Sequence, residues 1–120
     1  MARLPDGEVL HLSEIAHEIS RRFFEEHRED ATRYGNAGFA WCVHDNQWLL
    51  GWAVGDFEIG RGYFVENVRW LARVLAARDY TPERLVRDLE IASEVVGDAT
   101  GGRRQLAAKL REGARALTRT

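Results

Sequence analysis

Apolar residues in this chain recur every three or four positions, and over no useful length do they alternate with period two. That pattern gives several helices one apolar stripe each and leaves a sheet nothing to bury on one face. Only Pro5 and Pro82 interrupt the 120 residues, so long helices can run unbroken. The expected fold is therefore all-α, a bundle of about five helices, with residues 1–120 forming a single domain.

The stripes can be followed along the chain. Residues 1–11 read as a lead-in with a turn at Pro5-Asp6-Gly7. Ser13 is a candidate N-cap for a first helix over about 13–29, whose face carries Ile15, Ile19, Phe23 and His27, widened by Ala16 and Phe24. A second helix starts near Asp30 or Thr32 and reaches Ile59. Its expected inner face is Tyr34, Gly38, Trp41, Asp45, Trp48 and Trp52, with Cys42 and Leu49 beside it. A break near Gly51–Gly55 is the alternative. After a turn at Gly60-Arg61-Gly62, a third helix over 63–78 carries Phe64, Val68, Leu71 and Leu75. Thr81-Pro82-Glu83 starts a fourth, with Leu85, Leu89, Ala92 and Val96 on one face and Gly97 as the stop. Thr100-Gly101-Gly102 reads as a linker turn before a last helix with Leu106, Leu110, Ala114 and Leu117.

Charge and cysteine content exclude several classes. Net charge is −2, which gives no general attraction to nucleic acid. No apolar run is long enough for a membrane span, and no secretory h-region opens the chain. The single cysteine, Cys42, cannot form an intrachain disulfide, so a reducing cytoplasm is the expected compartment. Four Trp, three Tyr and five Phe are expected to dominate the core. No P-loop, dinucleotide fingerprint, nucleophile elbow or metal-ligand spacing is present, which favours a binding protein over an enzyme and predicts no metal site.

Asp45 is the anomaly. It shares helical phase with Trp41, Trp48 and Trp52, and an ionised carboxylate among indoles is costly unless it accepts hydrogen bonds. It either meets a buried partner or, with the helix rotated, sits at a rim. Cys42 lies one turn before it, where a negative neighbour disfavours the thiolate and hence nucleophilic catalysis.

The segment Arg33-Tyr34-Gly35-Asn36-Ala37-Gly38-Phe39-Ala40-Trp41-Cys42-Val43-His44-Asp45 resembles the start of the bilin-holding helix of phycobiliproteins. A Tyr-Gly pair precedes the chromophore-bearing Cys there by the interval from Tyr34 to Cys42. Similarity is greater to the small globin-fold proteins associated with bilin biosynthesis and to biliverdin-binding globin-like domains. Trp48, Trp52 and Val68-Arg69-Trp70-Leu71 match those at corresponding places, and the resemblance spans about residues 20–97.

The resemblance implies a globin-like fold without the N-terminal antenna extension, and a bilin, biliverdin or phycocyanobilin, as ligand. It also implies a sensor, carrier or chromophore role, with bilin-biosynthesis enzymes as candidate partners. Asp45 would accept pyrrole N–H groups, Trp41, Trp48 and Trp52 would pack on the conjugated plane, and Cys42 would reach the outer ring. Arg33, Arg61, Arg69 or Arg73 would supply the cations that the propionates need, and His44, also at the site, replaces the Arg that often grips a propionate in the family. The expected crevice lies between the second and third helices, floored by Trp41, Asp45 and Trp48. Two rival readings keep the fold and change the function. One is a haem globin with His27 or His44 as axial ligand. The other is a ligand-free sensory module whose aromatic face forms a homodimer.

Overall fold

A computed structural model describes residues 1–60 and 62–118. Five helices follow a short hairpin: α1 (Leu12–Glu26), α2 (Arg28–Ile59), α3 (Tyr63–Ala76), α4 (Pro82–Val96) and α5 (Gly101–Thr118). The fold is all-α in its bulk. Its shortest extent, 18 Å, accommodates two layers of helices. α1 and α2 pack along one another, as do α4 and α5, and α3 bridges α2 to α5.

Helix starts follow local chemistry, with two corrections. Thr81 has extended backbone and Pro82 opens α4, as the sequence predicts. α1 begins at Leu12 after His11, so Ser13 lies inside the helix and is not its N-cap. α5 begins at Gly101, although Gly101-Gly102 reads as linker. The lead-in supplies part of its cap: its Asp6 accepts a hydrogen bond from the Gly102 amide at 2.8 Å, while the hydroxyl of Thr100, next to the helix itself, accepts one from the Arg103 amide at 3.1 Å. That lead-in is itself structured. Around the Pro5-Asp6-Gly7 turn, β1 (Ala2–Arg3) pairs antiparallel with β2 (Val9–Leu10) in the register Ala2 to Leu10, which corrects the expectation of no sheet. Strands of two residues are too short to show a period of two.

α2 is continuous through Gly51–Gly55, and its break lies at Gly35 instead. Gly35 has φ 61° and ψ −153°, a region open essentially to glycine alone. The bend brings the Tyr34 side chain over Gly38, where any added Cβ would overlap that of Tyr34.

The core is aliphatic rather than aromatic. Ile19, Leu49, Leu50, Val68, Leu89, Leu106 and Leu110 are fully buried, and among the aromatic rings only Phe23 and Phe64 join them. The faces expected of α3, α4 and α5 turn inward, with Leu75 and Leu117 only partly covered. The expected face of α2 does not. Asn46, Leu49, Leu50 and Ala53 point inward there, while Trp41, Trp48 and Tyr34 stay exposed and Trp52 is half-buried. Indole carries a polar N–H and tolerates a wet edge, so aliphatic residues take the interior and rotate the helix away from its Trp stripe.

Candidate functional site

A crevice of about 240 Å³ opens between α2 and the corner where α3 gives way to α4, with Phe24 of α1 at its back. This corrects its expected place between α2 and α3 alone. Asp79, with φ 62°, turns the chain between α3 and α4 and presents Tyr80 to the crevice. A second depression of about 420 Å³ lies against α4 and α5. Its walls are charged, with Arg87 paired to Glu90 and Glu94 at 3.6 Å, so it is a solvated face rather than a ligand site.

The bend at Gly35 and the turn of α2 bring four of the sequence-predicted residues into the lining: Tyr34, Trp41, Cys42 and Asp45. Six others lie outside it. Trp48 and Trp52 point along the neighbouring face, their rings 5.9 Å apart, and Trp52 meets Trp70 at 6.4 Å. His44 accepts a hydrogen bond from the Trp48 indole at 3.2 Å. Arg33 lies over the Tyr34 ring, and Arg69 and Arg73 are exposed on α3. Arg61 lies outside the described residues. His27 also stands apart, its ring stacked on Phe23 at 3.9 Å and its Nδ1 2.8 Å from the Phe23 carbonyl.

The mouth and the floor differ in chemistry. At the mouth, the Asp45 carboxylate is 37% exposed and 3.7 Å from His44. Partial burial raises its pKa, and His44 pulls it back toward the usual carboxylate range. The arrangement matches the rim alternative for Asp45. At the floor, Asn46 and Asp88 are almost wholly buried. Asn46 Nδ2 donates to Asp88 Oδ1 at 3.2 Å and to Ser20 Oγ at 3.1 Å, and lies 3.5 Å from Cys42 Sγ. The Ser20 hydroxyl in turn donates to the Ala16 carbonyl at 2.8 Å. Asn46 Oδ1 is buried without a partner among the described residues.

Burial, with no compensating cation among the described residues, pushes Asp88 up to about 7, even though Asn46 donates to it. The Cys42 thiol rises to about 12, first through burial and then through the charge of Asp88. Tyr80 is likewise raised by burial. The cations at the crevice are Arg78 and Arg84, neither of them among the predicted propionate partners. Arg84 is already committed: Nε and Nη2 grip the Asp30 carboxylate at 2.7 and 3.1 Å. Arg78 is exposed at the rim and close enough to favour the Asp45 charge. The position of both arginines could have been read from the Thr81-Pro82 helix start, which fixes a corner between them.

Apolar walls with a few converging polar groups suit a ligand that is flat, mostly apolar and carries N–H donors. Among the described residues no group of three or more His, Cys, Asp or Glu is placed to hold a metal, and no helix is long and apolar enough to cross a membrane. Comparisons with protein families, with curated proteins and with solved structures return no match.

Proposed function

We propose that this crevice binds a linear tetrapyrrole, a bilin such as biliverdin or phycocyanobilin, and that the chain is a phycobiliprotein-like globin acting as sensor, carrier or chromophore protein. The observation that carries this reading is the Asp45 carboxylate at the mouth of an open, apolar-walled crevice, with Tyr34, Trp41 and Cys42 around it. The pyrrole N–H groups of a protonated bilin converge on one acceptor, and a half-buried carboxylate gains most from such a cationic donor. Trp41 and Tyr34 offer ring faces at the same rim. Arg78 offers a cation for a propionate.

Size and thiol chemistry refine the reading. A cavity of about 240 Å³ is smaller than the roughly 300–1,000 Å³ of sites that enclose a whole ligand. The pigment therefore seats one end in the crevice and lies across the rim. With its pKa near 12, the Cys42 thiol supplies almost no thiolate at neutral pH, which favours reversible seating over spontaneous attachment. Haem is the weaker reading, because the lining offers no histidine as axial ligand.

Mixing the protein with biliverdin tests the proposal. Seating should narrow and shift the long-wavelength band, and Asp45→Ala should weaken binding by about ten- to a hundred-fold, since a charge-assisted hydrogen bond contributes about 1.5–3 kcal/mol. A free-biliverdin spectrum in the wild-type mixture overturns it. The ladder of exposed Trp48 and Trp70 joined through half-buried Trp52 supports the homodimer reading as well. Sedimentation should then show a concentration-dependent mass that Trp48→Ala reduces to the monomer.

A further inference from the structure

Two polar atoms of the residues that floor the crevice have no hydrogen-bond partner among the described residues. Asn46 Oδ1 is a buried acceptor with no donor, and Asp88 Oδ2 takes no hydrogen bond among the described residues. Both side chains line the crevice. A buried carbonyl without a partner is costly, and a bound donor would recover that cost.

We infer that Asn46 and Asp88 form a recognition site for the cis-amide edge of a lactam ring, seated at the closed end of the crevice. This rests on the bilin reading, because the terminal rings of a linear tetrapyrrole are lactams. A lactam shows an N–H and a C=O side by side. The N–H donates to Asn46 Oδ1, and the C=O accepts from a protonated Asp88. No bond forms or breaks, and the proton stays on Asp88.

The surroundings of Asp88 suit it to keep that proton. α2 faces it with Cys42, Asp45 and Asn46, and α1 with Ser20. The α3–α4 corner brings Tyr80, and α3 brings only the apolar Leu71 and Leu75. Arg84, one turn earlier on α4, is held by Asp30. No cation pairs with Asp88 among the described residues. It accordingly stays protonated up to about pH 7.

The pyrrole centre of the pigment and its seated lactam end thus need opposite states of two carboxylates: Asp45 ionised at the mouth and Asp88 neutral at the floor. Affinity is then highest near neutrality and falls as pH rises past 7, where Asp88 loses its proton.

Titrating biliverdin into the protein from pH 6 to 9 tests the site. Wild-type affinity should fall about tenfold across that range. Asp88→Asn keeps an N–H donor that does not titrate and should flatten the profile. Asp88→Leu should bind about tenfold more weakly at pH 6. A parallel experiment uses 2-pyrrolidinone, a bare lactam, and follows the Asn46 side-chain amide by NMR. It should shift in wild type and not in Asp88→Leu. Pyrrolidinone shifting Asn46 while biliverdin fails to bind supports the floor site and overturns the bilin reading. Biliverdin bound with a pH profile that Asp88→Asn leaves unchanged, and no pyrrolidinone shift, overturns the floor site and leaves the bilin reading standing.

Discussion

Two buried aspartates face the interior from different helices, and their surroundings are opposites. Asp56, near the end of α2, is saturated: Oδ1 accepts from the Phe64 amide at 2.9 Å and Oδ2 pairs with Lys109 of α5. Asp88, on α4, has only the Asn46 amide and no cation among the described residues. Asp56 joins the start of α3 to α5, whereas Asp88 opens onto the crevice. A buried carboxylate that the fold satisfies is a structural fastener. One that the fold leaves half-satisfied is a place where something else can be satisfied.

Breaking the saturated pair should have the largest effect. Lys109→Met keeps an apolar stem but removes the ammonium, which lies over the Phe57 ring and pairs with Asp56, so Asp56 loses its cation. Removing one partner of a buried pair costs about 3–5 kcal/mol, and chemical denaturation should show a loss of that order. The biliverdin spectrum should be unchanged, since neither residue lines the crevice. A loss under about 1 kcal/mol would place Asp56 among groups that water satisfies, and the contrast with Asp88 would vanish.

Replacing the half-satisfied carboxylate should act the other way. Folded Asp88 holds its proton to about pH 7, whereas an unfolded aspartate releases it near pH 4. Between those values the folded state binds more protons, so stability falls as pH rises from about 4 to 7 and levels off above. Asp88→Asn removes this contribution. Relative to wild type, the variant should gain about 4 kcal/mol between pH 4 and pH 8. Denaturation curves that differ equally at both pH values would mean that Asp88 ionises in the fold as easily as in the unfolded chain.

What the sequence made legible follows from how each feature is encoded. The faces of α3, α4 and α5 could be read because their aliphatic residues keep one period over three turns or more. Phe64, Val68 and Leu71 go inside, as do Leu85, Leu89, Ala92 and Val96. On α2 two stripes compete. Trp41, Trp48 and Trp52 carry more apolar surface, but Leu49, Leu50 and Ala53 fit a close-packed interior and win it. Four crevice residues, Tyr34, Trp41, Cys42 and Asp45, were nevertheless recognisable, because they sit at helical spacing beside the winning stripe. Asn46 and Asp88 were not. Each looks like a surface residue until the helices are docked, and their 3.2 Å contact joins positions 42 residues apart. Asp88 does fall three residues after Leu85 and one before Leu89, a phase that in hindsight marks it as inward-facing. The Gly35 bend was hidden among four glycines of equal propensity in α2, and only its positive φ distinguishes it.

The smallest effect is the most discriminating. Ser20 touches the floor from behind, accepting from Asn46 and donating to Ala16. Ser20→Ala removes one of two oxygen acceptors for the Asn46 amide and leaves Asp88 as the other. A single hydrogen bond of this kind contributes about 0.5–1.5 kcal/mol, and the remaining acceptor should keep the loss near the lower end. If Asn46, Ser20 and Asp88 act as one network, Ser20→Ala combined with Asp88→Asn should depart from additivity by at least about 0.5 kcal/mol. Strict additivity would mean that Asn46 serves the two partners independently. The amide would then be fixed by packing alone, and its unpaired oxygen would be a by-product of the fold and not a feature held in place for a ligand.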